Sequence, residues 1–350
     1  MGKQQIGPTD PTPRKDDLIV ITGAGGFIAG SLTRYFHDQG FTRIRAIDKK
    51  PLPDWYQRVP GVESLSMDLS EKSNCRRACE GAVEVYNLAA DMGGMGFIER
   101  FRVECLRSIL INTHMIEAAY RAGVGRYLFS SSACAYNTEL QKDPKAKALK
   151  ESDAYPAMAE KGYGWEKLMS EMFCQEYWAE RGLKTLMARL HNVYGPNGTW
   201  DGGREKAPAA ICRKVIEAKD TGKHEIVIWG DGTQTRSFMY IDDCVKGINM
   251  VMHCDELIAT PINLGSCELV SINDLVSLAE EIGGLRLERK YDRTAPRGVA
   301  GRNSDNTMIR RVLNWEPSTP LRVGLQRTYA WIEQQYRDRK AGRRTVRDYF

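Results

Sequence analysis

Tyr163 and Lys167 stand four residues apart in Tyr163-Gly164-Trp165-Glu166-Lys167, a spacing that puts a phenol and an ammonium on one face of a helix. A nearby ammonium lowers a tyrosine's pKa from about 10 toward working pH and makes the phenol a usable general base. Tyr-x-x-x-Lys is common by chance, and alone it describes many surface pairs. Its weight comes from its company. Gly23-Ala24-Gly25-Gly26-Phe27-Ile28-Ala29-Gly30 follows a predicted strand and opens a predicted helix. Glycines there allow a tight turn and close backbone approach to a pyrophosphate seated on the helix N-terminus. Asp48, closing the next predicted strand, would accept from a ribose 2′-hydroxyl and repel a 2′-phosphate, which favours NAD over NADP; Lys49 and Lys50 soften that preference. Asp68-Leu69 and Asn87-Leu88-Ala89-Ala90 follow the third and fourth strands, at the carboxyl ends where such sheets bind ligands. Ser130-Ser131-Ser132 lies at another strand end, and Cys134 comes two residues later.

The elements that must position these groups read as alternating strands and helices. Strands are predicted at Leu18–Thr22, Ile44–Asp48, Val62–Met67, Val83–Leu88, Arg126–Ser130 and Thr185–Leu190, with helices over 27–39, 70–80, 104–123 and 163–181. The class is α/β: a Rossmann-type doubly wound parallel sheet of six strands, with a smaller α/β substrate-binding lobe. The divisions are a flexible leader over 1–16, an NAD-binding domain over 17–191 and a substrate lobe over 192–350, with some chain crossing between the two. In the lobe, helices are predicted near 207–219 and 241–253, and short apolar runs lie at 225–229 and 261–264. The tail beyond Gln335, rich in arginine, reads as a solvated basic terminus.

Composition sets the outer limits. The chain has 350 residues, 42% of them hydrophobic and 27% charged, which excludes disordered, collagen-like and coiled-coil classes. A net charge of +5 is too mild to argue for nucleic acid, though it suits an anionic small molecule. Nine cysteines, an odd number without a C-x-x-C pair, and five scattered histidines assemble no metal-ligand set. They point to a reduced, cytoplasmic protein whose thiols are mostly small core residues. The uncharged stretch Leu18–Thr33 is too short and glycine-rich for a membrane helix, so no membrane association is expected.

The dinucleotide loop, the serine strand end and the Tyr/Lys pair together resemble the extended short-chain dehydrogenase/reductases acting on nucleotide sugars. Arg189-x-x-Asn192-x-Tyr194-Gly195-Pro196 and Arg236-Ser237-Phe238 reinforce the match. Finer blocks resemble the GDP-mannose 3,5-epimerases: residues 87–98, Ser131-Ser132-Ala133-Cys134, Gly202–Ala210, Trp229–Phe238 and Gly301–Asn306. The resemblance implies bound NAD and epimerisation of GDP-mannose at C3 and C5. C4 is oxidised transiently, which makes its neighbouring protons acidic, and is then reduced again. It assigns Tyr163, supported by Lys167, to the C4 hydroxyl proton and Ser132 to the C4 oxygen. Cys134 becomes the base, which needs a thiol ionised by a neighbouring cation, and Lys206 the acid. Gly93, Gly94 and Met95 would let the sugar lie against backbone, while Asn192, Glu205 and Gln234 are further contacts. Lys214, Arg236 and Arg302 supply cations for a diphosphate. A homodimer through a helical face is implied as well. Departures from the family pattern are Ala300 for a usual arginine, Ala135-Tyr136-Asn137 for Ile-Tyr-Pro, and Tyr155 for tryptophan. A 4-epimerase or 4,6-dehydratase of the same fold, and a non-catalytic NAD-binding sensor, stay open as alternatives.

Overall fold

The computed structural model describes residues 13–343; most of the proposed leader and the end of the basic tail lie outside the described residues. The chain runs β1 (Ile19–Thr22), α1 (Phe27–Asp38), β2 (Ile44–Asp48), β3 (Glu63–Ser66), α2 (Lys72–Cys79), β4 (Glu84–Asn87), α3 (Met95–Arg100), α4 (Arg102–Arg121), β5 (Arg126–Ser132), α5 (Tyr163–Arg181) and β6 (Lys184–Leu190). It continues through β7 (Asn192–Tyr194), α6 (Ala207–Thr221), β8 (Glu225–Trp229), β9 (Thr235–Tyr240), α7 (Ile241–Met252), β10 (Pro261–Leu264), β11 (Leu269–Ser271), α8 (Ile272–Gly283), β12 (Glu288–Asp292), β13 (Gly301–Arg302), α9 (Thr307–Leu313) and α10 (Leu321–Lys340).

The main sheet is parallel throughout, in the order β10-β6-β5-β4-β1-β2-β3. The inner strands β1, β4, β5 and β6 are almost wholly buried because both faces are covered, whereas the edge strand β3 is polar and partly exposed. Alternate residues of β1 show the division. Ile19 and Ile21 join the core formed with α1 and α7, while Val20 joins the core formed with α2 and α4. Strand order reverses between β1 and β4, which opens the crevice where ligands bind in such sheets.

Seven strands stand where six are expected. The seventh, β10, comes from beyond residue 192 and pairs with β6, Pro261 opposite Met187 and Leu264 opposite Leu190. A run this short carries no mark of the sheet it joins; a pairing between distant segments decides that. In the smaller lobe β9 pairs in parallel with β7 and β13 and antiparallel with β11, and β8 pairs with β12. Its core residues Ile211, Val215 and Leu275 are continuous with the α1 face of the main sheet.

The tail differs from its reading as a solvated terminus. Helix α10 runs to Lys340, where the Arg339 guanidinium lies 4.3 Å above the Trp200 ring and pairs with Asp201. Lys340 pairs with Asp220 at 2.7 Å. No helix among the described residues is long and apolar enough to cross a membrane.

Candidate active site

The crevice between β1 and β4 is built by short polar contacts. Thr22 Oγ1 donates to Asn87 Oδ1 at 2.7 Å and accepts from the Leu88 and Ala89 N–H groups at 3.1 Å each, tying the two strand ends together. Asp48 Oδ2 accepts from the Gly25 N–H at 3.1 Å and its Oδ1 from the Lys50 N–H at 2.9 Å. Burial raises the Asp48 pKa against the pull of those donors and of both lysines. Lys49 is drawn away to Asp91 at 2.6 Å, and Lys50 lies 4.1 Å over the Tyr56 ring. Both cations that would soften the NAD preference are therefore engaged.

These residues fit a dinucleotide. A Cβ on Gly25 would stand 2.8 Å from Trp55 and 3.0 Å from Asp48, so only glycine leaves this approach open. No side chain caps α1 at Gly26, which leaves backbone N–H groups of its first turn, at Phe27 and Ile28, for a phosphate. Gly23 lies against the Leu88 carbonyl at the crevice floor. Asp68 is exposed and accepts from the Ser70 N–H at 2.9 Å, whereas the Leu69 side chain belongs to the core on the α2 side.

Strand β5 and helix α5 bring the next groups together. Ser132 Oγ, at the end of β5, accepts from the Cys134 N–H at 3.1 Å. Tyr163 opens α5, and Lys167 lies one turn on, almost fully buried. The Lys167 ammonium is 3.6 Å from Glu166 Oε2, 4.7 Å above the Phe129 ring and 5.3 Å from the Tyr163 ring centre. The expected lowering of the Tyr163 pKa is absent. Burial holds it well above the ordinary phenol value, and the neighbouring Cys134 and Glu166 add to the rise, while Ser132 opposes it. The lysine's charge is spent on Glu166.

A cavity of about 350 Å³ opens above these groups. All the residues the resemblance names for substrate line it: Gly93, Gly94, Met95, Ser132, Cys134, Asn192, Glu205, Lys206, Lys214, Gln234, Arg236 and Arg302. Gly94 is there for contact between chain segments: its N–H donates to the Arg204 carbonyl at 2.9 Å, and a Cβ would meet the Glu205 oxygen at 2.5 Å. Glu205 in turn accepts from the Gly203 N–H at 2.7 Å and pairs with Arg213 at 3.2 Å. Asn192 donates to the Ser237 carbonyl at 3.3 Å and Lys214 to the Val227 carbonyl at 2.7 Å. Gln234 donates to the Trp229 carbonyl at 2.8 Å, and its buried Oε1 has no partner among the described residues. Arg236 donates to the carbonyls of Thr235, Arg297 and Val299, and burial and Arg302 bring its pKa down to about 10.

Two assignments shift. Arg302, expected among cations for a diphosphate, instead donates to Cys134 Sγ at 3.5 Å and to Gln141 at 2.6 Å, and pairs with Glu160. Cys134 therefore has its neighbouring cation, but burial and Glu160 outweigh it and the thiol pKa rises. Lys206 moves the other way, lowered by burial and Arg302. Glu160 and His191 also line the cavity and went unread in the sequence. Glu160 precedes the Tyr/Lys pair without any spacing of its own, whereas His191, beside Asn192 in a recognised block, was open to notice.

Comparison with known proteins agrees with this geometry. Residues 19–265 match the NAD dependent epimerase/dehydratase family. The GDP-mannose 3,5-epimerase of Arabidopsis thaliana is 41% identical, over 94% of this chain and 85% of that protein. Among solved structures, a UDP-glucose 4-epimerase from Thermotoga maritima with UDP-glucose is 22% identical with a TM-score of 0.80, covering 91% of this chain and 99% of that one. That likeness bears on the fold alone. MoeE5, solved in complex with UDP-glucose and NAD, is 27% identical with a TM-score of 0.74, at 91% and 99% coverage. The chain therefore belongs to the NAD dependent epimerase/dehydratase family, with the GDP-mannose 3,5-epimerases among its relatives, and is an NAD-dependent isomerase.

Proposed function

We propose that the chain converts GDP-D-mannose to GDP-L-galactose by inverting C3 and C5, with GDP-L-gulose as the product of inversion at C5 alone. The observation that carries this reading is a single cavity lined by Ser132, Cys134, Tyr163 and Lys206. Bound NAD supplies a reversible hydride acceptor for C4 and, when oxidised, a positive charge. Gly23, Gly25, Gly26, Phe27, Ile28, Asp48, Asp68, Leu69, Leu88 and Ala89 would hold it, with Tyr163 and Lys167 as further contacts. Ser132 holds the C4 oxygen and Tyr163 takes its proton. Cys134 removes the proton at C5 or C3, and Lys206 returns one to the opposite face. Burial raises the thiol above its ordinary value and lowers the amine below its own, which eases proton release from the ammonium.

Lys214 and Arg236 are the cations left for the diphosphate, with Asn192, Glu205 and Gln234 around the sugar. The dimer is formed by α4 and α5, which pack together and present Val103, Leu106 and Leu110 beside Trp165, Met169 and Met172, all exposed. Nine free thiols, seven of them buried, suit a reducing cytoplasm.

Incubation with GDP-mannose in D₂O, followed by NMR, tests the reading. Deuterium is expected at both C3 and C5 of the products. Inversion at C4 without exchange would make the chain a 4-epimerase, and a stable 4-keto-6-deoxy sugar would make it a dehydratase.

A further inference from the structure

Glu160 stands at the centre of a closed set of contacts around Cys134. Its N–H donates to the Cys134 carbonyl at 3.1 Å, which fixes its backbone beside the cysteine. Its carboxylate pairs with Arg302 NH2, while NH1 of the same guanidinium reaches Cys134 Sγ at 3.5 Å and Nε reaches Gln141 at 2.6 Å. The ion pair is largely buried, with side-chain exposures of 6% and 11%. Gln141 is held by its own donation to the Asn137 carbonyl at 3.1 Å, so the guanidinium has a fixed seat. One cation is thus shared between a carboxylate and a thiol, in surroundings where charge interactions are strong.

We propose that Glu160 is a positioning residue for Cys134: by pairing with the guanidinium that also reaches the thiol, it offsets that cation's charge and helps set the pH at which Cys134 ionises. The other groups facing the thiol are Ser132 from β5, Tyr163 from α5, Lys206 at the start of α6 and Arg236 from β9. Of these the cations favour the thiolate, and Glu160 is the anion that opposes them. Glu160 thereby adds to burial in raising the pH at which Cys134 ionises, and removing its charge lowers that pH. The proposal rests on the reading of Cys134 as a proton-transfer group, but its test does not need turnover.

The full chain is alkylated with iodoacetamide across pH 6 to 10, and the Cys134 peptide is quantified by mass spectrometry. The exposed Cys267 in the same sample serves as internal standard. Glu160→Gln is expected to move the midpoint of Cys134 alkylation down by about one pH unit, raising its rate at pH 7 about tenfold. Glu160→Ala, a second neutral variant, moves it the same way, while Glu160→Asp keeps the parent midpoint. An unchanged midpoint in the folded neutral variants, or an equal shift in Glu160→Asp, overturns the proposal. Full epimerisation by Cys134→Ser would instead overturn the functional reading and leave the alkylation result standing.

Discussion

Cys134 and Lys206 carry opposite perturbations for one reason, removal from water, which disfavours a thiolate and an ammonium alike. Cys134→Ser and Lys206→Ala are expected to lose about 10²–10⁴-fold in turnover while still binding NAD and nucleotide sugar. Tyr163→Phe should lose deuterium exchange as well, because without C4 oxidation neither neighbouring proton is acidic. Kinetics, cofactor content and exchange together check the set, and undiminished turnover in either proton-transfer variant sinks the two-sided scheme. His191 offers a separate test. Asn263 donates through Nδ2 to the Leu149 and Asp305 carbonyls, so its Oδ1 is the acceptor for Tyr136 and for His191 Nε2. The imidazole is thus neutral, with Nδ1 lacking a partner among the described residues, and burial brings its pKa down to about 4. Its contribution to stability is complete above the ordinary value of 6.5 and is lost as pH falls toward 4, a change of roughly 3 kcal/mol. Urea unfolding at pH 7 and pH 4 should show a smaller difference in His191→Asn than in the parent. At this scale the sequence was legible where a short spacing fixes which side chains share a helix turn, as for Tyr163 and Lys167, while the expected effect of the one on the other's pKa was not. Glu160 was not, because its role depends on Arg302, 142 residues further along the chain.

Helix α5 shows what an element adds. Its start and end, Tyr163–Arg181, follow from helical periodicity, with Gly182 closing it in the left-handed conformation. Its seat follows from tertiary contacts. Glu171 takes a two-pronged pair from Arg189 of β6, at 2.8 and 2.7 Å, and accepts from Ser131 of β5. At the other end a Cβ on Gly164 would stand 2.2 Å from the Cys134 carbonyl oxygen. Gly164→Ala is therefore expected to force the first turn of α5 off β5, costing about 1–3 kcal/mol. It should also reduce turnover more than cofactor binding, because Tyr163 moves with that turn. Thermal unfolding and kinetics measure the two effects, and an unaffected turnover would mean that the turn adapts. Strand β10 gives the opposite lesson. Its four residues were marked as an apolar run, but their place beside β6 depended on a partner distant in sequence.

At the scale of the molecule, α4 and α5 together present an exposed apolar stripe that includes Val103, Leu106, Met169 and Met172. If the proposed dimer forms through this stripe, Leu106→Glu combined with Met169→Glu is expected to convert it to a monomer in sedimentation velocity; a monomeric parent protein would remove the dimer from the proposed function. The lobes share one continuous core on the α1 face, so a boundary at residue 192 divides the sequence more cleanly than it divides the packing. The sequence by itself determined the α/β class, the glycine-rich loop between β1 and α1 and the types of the side chains proposed to react, because these depend on local periodicity, on glycine geometry and on side-chain chemistry. Only the tertiary structure decided that β10 extends the main sheet, that Arg302 reaches both the thiol and Glu160, and that burial raises the pKa of the Tyr163 phenol and of the Cys134 thiol. Those outcomes depend on burial and on charges brought together from distant positions, and neither quantity exists before the chain folds.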